Sequence, residues 1–295
     1  MGGFSNLLLC LLLHMLSYRH GYHAGNFADV FKHVVLFQIV QSLLKKEKPF
    51  VYLYTHAGAG LYKLTAGFSR RNREHESGID RVWKADRASE RLTPYVEAVR
   101  AVNPGDKLIW YPGSPHLVKH WLRKSDRMEL CELHGSEVPE LKSLFRGCRQ
   151  IHVHHMDGYQ GLKAFLPPPE RRGLVFCDPP YELPDERKKL LAAVTEAWQR
   201  WPTGLYAIWY PLMGRPETDW FHRQFKRSGI KKILMCEMRV FGEDLPDRLN
   251  GSGMVLINPP WPLDEHMAEL GPELARLLAH AEGEGRYRQN WLVPE

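Results

Sequence analysis

Cysteine is scarce in this chain and shows no paired spacing: the five residues stand at positions 10, 131, 148, 177 and 236. A disulfide framework or a thiolate metal site is therefore not expected, and a reducing cytoplasm fits; Cys131 and Cys177 fall in apolar strand patterns where they pack as small hydrophobes. No internal repeat or low-complexity tract is visible, which sets aside solenoids and linkers. The leucine run Leu7 to Leu13 lacks the basic leader and the small-residue cleavage site of an export signal and is too short to span a bilayer. Residues 1–14 therefore read as an extension upstream of Met15, and no membrane role is expected. A turn with three glycines, which the pyrophosphate of a dinucleotide would want, is also missing.

What the chain has is length and positive charge. With 295 residues it can bury a full α/β core, and it is a little long for one minimal domain, so an insertion is expected. A hydrophobic share of 44% beside 25% charged residues indicates a soluble globular protein. The net charge of +6 favours an anionic partner such as nucleic acid. Basic residues cluster at Lys45-Lys46-Lys48, Arg70-Arg71-Arg73, Arg171-Arg172, Arg187-Lys188-Lys189 and Lys231-Lys232. Arg70 to Arg73 is the best candidate for RNA, and the other clusters read as solvated element ends.

Asn26 is a good N-cap, and Val30, Val34, Phe37, Val40 and Leu44 follow at helical spacing, predicting a helix that ends near Lys48. Strands are expected at 50–55, 128–133, 150–154, 174–177, 205–210, 232–240 and 254–257, with helical stretches between most of them. The segment from about 66 to 105 carries a charged helical pattern and reads as a helical insertion. The alternation predicts a doubly wound, Rossmann-like α/β fold with a mostly parallel seven-stranded sheet.

Asp178-Pro179-Pro180-Tyr181 directly follows the apolar run 173–177, so it sits where a buried strand opens into the crevice that such sheets use for ligands. Asp178 can accept from an exocyclic amine, the prolines stiffen the turn and leave carbonyls free to accept, and Tyr181 offers a ring for stacking. Those properties suit a planar amino-bearing base held beside a methyl donor. Asn258-Pro259-Pro260-Trp261 fits the same pattern after strand 254–257, but as the end of the last expected strand it is placed at a sheet edge and ranks second.

The glycine loop His56-Ala57-Gly58-Ala59-Gly60, Glu132, Asp157 with Gly158, and Asp178 all fall at strand ends, so they should line one rim. S-adenosylmethionine fits such a rim: close backbone for its amino-acid part, a carboxylate for the ribose, a polar group for the adenine amine, and acids for the sulfonium. A metal cluster of His20, His23 and His33 lacks a carboxylate or thiol spaced to complete it, so no metal is expected.

With this rim assembled, the chain from Met15 onward resembles the RlmJ family, bacterial methyltransferases that modify the exocyclic nitrogen of one adenine in 23S ribosomal RNA. The resemblance is carried by Tyr18-Arg19-His20, His23-Ala24-Gly25-Asn26, Thr55-His56-Ala57-Gly58-Ala59-Gly60, Tyr111-Pro112-Gly113-Ser114-Pro115, Glu132-Leu133-His134, Asp157-Gly158, Asp178-Pro179-Pro180-Tyr181-Glu182 and the ending Trp291-Leu292-Val293-Pro294-Glu295. It implies cofactor contacts by His33, His56, Ser114, Glu132, Asp157, Gly158 and Asp178, and a reach of Tyr18 and His20 over the target adenosine. Tyr54 stands where the pattern leads one to expect an acid. The resulting expectation is a cytoplasmic, monomeric, S-adenosylmethionine-dependent adenine-N6 methyltransferase. Its catalytic residues would be Asp178, Pro179 and Tyr181, and its substrate protein-free or early-assembly 23S ribosomal RNA. A DNA adenine methyltransferase, which would share these residues, and a non-catalytic RNA-binding protein that keeps the fold are the competing readings.

Overall fold

The computed structural model describes residues 20–85, 90–246 and 248–295. Tyr18 and the extension at residues 1–14 therefore lie outside the described residues.

Ten strands alternate with ten α-helices along these residues. The strands are β1 (Val51–Tyr54), β2 (Leu61–Lys63), β3 (Trp110–Pro112), β4 (Arg127–Glu132), β5 (Ile151–His155), β6 (Gly173–Cys177), β7 (Leu205–Leu212), β8 (Ile233–Arg239), β9 (Gly251–Ile257) and β10 (Arg286–Val293). The helices are α1 (Phe27–Leu44), α2 (Gly67–Asn72), α3 (Ile79–Trp83), α4 (Thr93–Arg100), α5 (Ser114–Trp121), α6 (Glu137–Leu144), α7 (Gly158–Phe165), α8 (Glu186–Arg200), α9 (Arg215–Arg227) and α10 (Leu263–Leu278). β2 and β3 form a separate antiparallel pair, and the main sheet runs β10-β8-β9-β7-β6-β1-β4-β5.

Strands β5, β4, β1, β6 and β7 are parallel, whereas β9 runs antiparallel to both β7 and β8, and β10 antiparallel to β8. The mostly parallel Rossmann-like sheet expected from sequence is present, with eight strands rather than seven. The extra one is β10, whose Arg286, Arg288 and Asn290 give it too polar a composition to read as a buried strand. It covers the edge of β8 instead. The strand ending at Ile257 is not at an edge either, since β9 lies between β7 and β8.

Alternate strand side chains feed two cores, one on each face. Tyr52, Tyr54, Leu174 and Phe176 pack with α1 and α10, while Leu53, Val175 and Cys177 pack with α7, α8 and α9. Asn26 caps α1 by accepting from the Asp29 amide at 2.9 Å. α1 is apolar and long enough to cross a membrane by composition, but it is largely buried against this core.

The stretch between β2 and β3 holds α2, α3 and α4, and Ile79, Val82, Tyr95 and Val99 join the core around α1. It also braces the turn before α1. Ser69 Oγ donates to the Gly21 carbonyl at 2.6 Å and the Ile79 amide to the Gly25 carbonyl at 2.8 Å, while His23 and Asn26 both reach Glu74 at 3.0 Å.

Candidate active site

Because β6, β1, β4 and β5 are neighbours running in one direction, the residues that follow them share one rim. A cleft there is lined by His20, His56, Gly58, Ser114, Glu132, Asp157, Gly158 and Asp178. The sequence spacing therefore identified most of a single constellation. Gly158 is needed for close approach, because a Cβ there would lie 2.1 Å from the Thr55 carbonyl oxygen.

Two acids of the rim are anchored by backbone. Glu132 Oε2 accepts from the Gly58 amide and Oε1 from the His134 amide, both at 2.6 Å, which fixes the carboxylate in the cleft wall with acceptor capacity to spare. Asp157 caps α7, its Oδ1 accepting from the Tyr159 amide at 2.7 Å and the Gln160 amide at 3.0 Å. Burial and the neighbouring negative charge of Glu132 push the Glu137 carboxyl above its usual range, a sign that this end of the cleft is crowded with negative charge. A cationic ligand relieves that crowding and a pyrophosphate worsens it, so the donor set fits a sulfonium.

His33 stands behind this wall. Its Nδ1 is 2.7 Å from Tyr111 Oη and its Nε2 2.9 Å from Ser114 Oγ, and burial drives its pKa down to about 3, keeping the ring neutral. It bears on the cleft through Ser114. His56 lines the cleft itself, its Nδ1 2.8 Å from Thr55 Oγ1, and burial lowers its pKa as well.

Asp178 belongs to two walls, since it lines, with His20, Pro180, Glu182 and Leu183, both this cleft and an adjoining larger cavity that also holds Lys32, Tyr181, Arg187 and Trp209. Lys32 Nζ donates to Asp178 Oδ2 at 2.6 Å and Tyr54 Oη donates to the same oxygen at 2.8 Å. Both bonds fall on Oδ2. Lys32 also pairs with Asp29 Oδ1 at 2.7 Å, and Asp29 Oδ2 meets His20 Nε2 at 2.8 Å. Burial works to lower the Lys32 pKa, but the carboxylates of Asp178 and Asp29 outweigh it and the ammonium is held above its usual value. Asp29, which burial would raise, is held well below the carboxylate range by His20 and Lys32.

Lys32 did not emerge from sequence reasoning, although a signal was there: in Phe27–Leu44 the only charged residues are Asp29 and Lys32, and a lone lysine on an apolar helix needs a partner. Tyr54, where an acid was expected, supplies a neutral donor to Asp178 instead. Trp209 was also missed. Its ring meets that of Tyr181 edge-on at 5.6 Å, and its carbonyl accepts the Tyr181 hydroxyl at 2.5 Å.

Tyr181 has a φ of 55°, a left-handed backbone uncommon for a bulky residue, held by that hydroxyl bond. Pro179 is buried in the same turn. The competing loop lies elsewhere. Because β9 is reversed, Asn258 leaves the sheet at the end opposite Asp178, where its side chain donates to the Pro202 and Gly204 carbonyls, both at 2.8 Å. Among the described residues no group of three or more His, Cys, Asp or Glu side chains is placed to hold a metal.

A glycine-bearing turn and a rim of carboxylates at the carboxyl ends of parallel strands, with an Asp-Pro-Pro-Tyr turn between two cavities, define a Rossmann-like methyltransferase. Residues 47–293 match the family model described as ribosomal RNA large subunit methyltransferase D, RlmJ, and the chain belongs to that family. It is 42% identical over 281 residues to the ribosomal RNA large subunit methyltransferase J of Escherichia coli K12, covering 95% of this chain and 100% of the relative. It is 43% identical over 282 residues to the protein of the same name from Haemophilus influenzae, covering 95% and 100%. Its fold matches the crystal structure of protein LPL1258 from Legionella pneumophila with a TM-score of 0.85 at 34% identity, over 91% of this chain and 98% of that one.

Proposed function

We propose that this enzyme transfers the methyl group of S-adenosylmethionine to the exocyclic N6 of one adenine in 23S ribosomal RNA. The observation that carries the reading is the position of Asp178, which lines both the acidic cleft and the larger cavity beside it. A group that is to hold an amine against a methyl donor has to stand at such a boundary. When bound, S-adenosylmethionine supplies an electrophilic methyl group on a positively charged sulfur.

The chain's own residues bind and orient. Glu132 holds the ribose hydroxyls, Asp157 accepts from the adenine amine of the donor, and the His56 to Gly60 turn, Ser114 and Gly158 bring backbone close. His33 keeps Ser114 in place.

On the other side the target adenine must be unstacked and turned out, which costs least in a single-stranded or loop context. Asp178 Oδ1 and the Pro179 carbonyl accept the two N6 hydrogens, which draws the nitrogen lone pair out of the ring as the methyl arrives. The N–C bond forms as the S–C bond breaks, and the bonding pair stays on sulfur. The N6 proton then leaves to Asp178. The ammonium product is strongly acidic, so a carboxylate suffices to take its proton. Tyr181 flanks the base, and His20 approaches from the amino-terminal side, which the helical insertion at about 66–105 braces; Tyr18, outside the described residues, is proposed to contact the adenosine as well.

The enzyme is further read as a cytoplasmic monomer that acts on protein-free or early-assembly RNA, with residues 1–14 dispensable. The test supplies labelled donor with protein-free 23S RNA and, separately, duplex DNA, and maps N6-methyladenine by mass spectrometry. Label at one adenine of the RNA is expected. Equal labelling of duplex DNA, or none of either, overturns the reading.

A further inference from the structure

In the sequence Arg187 opens the basic run Arg187-Lys188-Lys189 and looks like a solvated helix end. The structure separates it from its neighbours. Lys188 and Lys189 are exposed, whereas the Arg187 side chain folds inward to 20% exposure with its guanidinium 5.1 Å from the centre of the Tyr181 ring. Its Nε is buried without a hydrogen-bond partner. Among the described residues its ion pair is with Glu217, which is mostly exposed and lies 3.9 Å from Nη2. A guanidinium carries five donors in a fixed fork and stays charged, so a buried donor left unmet is costly unless a ligand brings the acceptor.

Arg187 lines the same cavity as Asp178, Tyr181 and Trp209. A nucleotide whose base meets Asp178 and Tyr181 carries its phosphate only one sugar away. A phosphate offers the paired oxygens that a guanidinium fork matches, and the ring of Tyr181 holds the fork in plane meanwhile. Glu217 is too far and too exposed to compete with a phosphate anion held in the fork.

We propose that Arg187 binds the backbone phosphate of the nucleotide to be methylated, and so makes the cavity select a nucleotide rather than a nucleoside. This rests on the reading of that cavity as the adenosine site. The residue positions substrate and takes no part in the methyl transfer itself.

The test measures inhibition of methyl transfer to ribosomal RNA by adenosine, adenosine 5′-monophosphate and adenosine 3′-monophosphate, with wild type, Arg187→Gln and Arg187→Lys. In wild type one monophosphate should bind about tenfold to a hundredfold more tightly than adenosine, as a charge-assisted pair allows. Arg187→Gln, which keeps a planar group over Tyr181, should bind all three alike, and Arg187→Lys should keep part of the preference. With RNA, Arg187→Gln should raise KM more than it lowers kcat and reduce the slope of log affinity against log salt by about 0.7, one phosphate contact to a single strand. Donor affinity by calorimetry should stay within about twofold in both variants, which also reports folding.

A wild type that does not distinguish nucleotide from nucleoside, or an Arg187→Gln protein that still does, overturns the assignment. A wild type that methylates no adenine in ribosomal RNA overturns the underlying reading of the site instead.

Discussion

Lys32 Nζ lies 2.6 Å from Asp178 Oδ2, an ion pair across 146 residues of sequence whose side chains are 4% and 8% exposed. It joins the first helix of the fold to the turn that ends β6. The same ammonium holds Asp29, so one buried positive charge is shared by two carboxylates.

Removing that charge should be severe. Breaking a buried pair by deleting one partner typically costs about 3–5 kcal/mol, because the remaining charge is left uncompensated. Lys32→Met is therefore expected to lower unfolding stability in urea by that order and to reduce methyl transfer even where the protein remains folded. A variant with wild-type stability and turnover would show that the pair is incidental.

The two Asx-Pro-Pro-aromatic turns lie at opposite ends of the sheet, so their substitution should have unequal effects. Asp178→Ala is expected to abolish methyl transfer, whereas Asn258→Ala, which loses bonds to the Pro202 and Gly204 carbonyls and strains a left-handed turn far from the cleft, should keep most of it. Single-turnover assays with saturating donor separate the two. Equal loss in both would misplace the reaction centre.

Glu132 accepts from the amides of Gly58 and His134 and faces the cleft. Losing a charged acceptor for the ribose hydroxyls costs about 1.5–3 kcal/mol, so Glu132→Ala should weaken S-adenosylmethionine binding by roughly 10- to 100-fold. Calorimetry reads this directly, and an unchanged affinity would remove Glu132 from the donor site.

Away from the site, Glu237 accepts from Tyr210 at 2.7 Å and from Arg288 at 2.5 Å, and lies 3.2 Å from His222. Burial would raise its pKa, but the bonds from His222, Arg288 and Tyr210 overcome this and bring it down to about 2. A carboxylate depressed in the folded state stabilises it above the unfolded value of 4.5 and loses that contribution as pH falls toward 2. The contribution is roughly 3 kcal/mol. Urea unfolding of wild type and Glu237→Gln should therefore differ most near neutral pH and converge on acidification. A gap that stays constant with pH would disprove the linkage.

How far the sequence reveals the site follows from what each residue does. Glu132, Asp157 and Asp178 were legible because strand ends can be read from apolar runs, and parallel strands place their ends together. Lys32 was hidden because its partner lies 146 residues away and no local pattern encodes that distance. Arg187 was hidden by its company, since an exposed Lys188 and Lys189 made the whole run look solvated. The reversal of β9 was equally invisible: the strand reads the same in either direction, and only its pairing with β7 and β8 moves Asn258 away from the cleft. β10 escaped notice because a covering edge strand can be polar.

Asp178 lies with His20, Pro180, Glu182 and Leu183 on the wall shared by two cavities, whose other exposed lining residues include Leu133 and Lys189 on one side and Pro184 and Glu217 on the other, so the proposed donor and RNA sites each reach the surface. Donor and RNA then need not queue. On that reading either is expected to enter first, with the reaction passing through a complex of both. Initial-rate plots at varied donor and RNA should give intersecting lines rather than the parallel ones of a relay through a methylated enzyme.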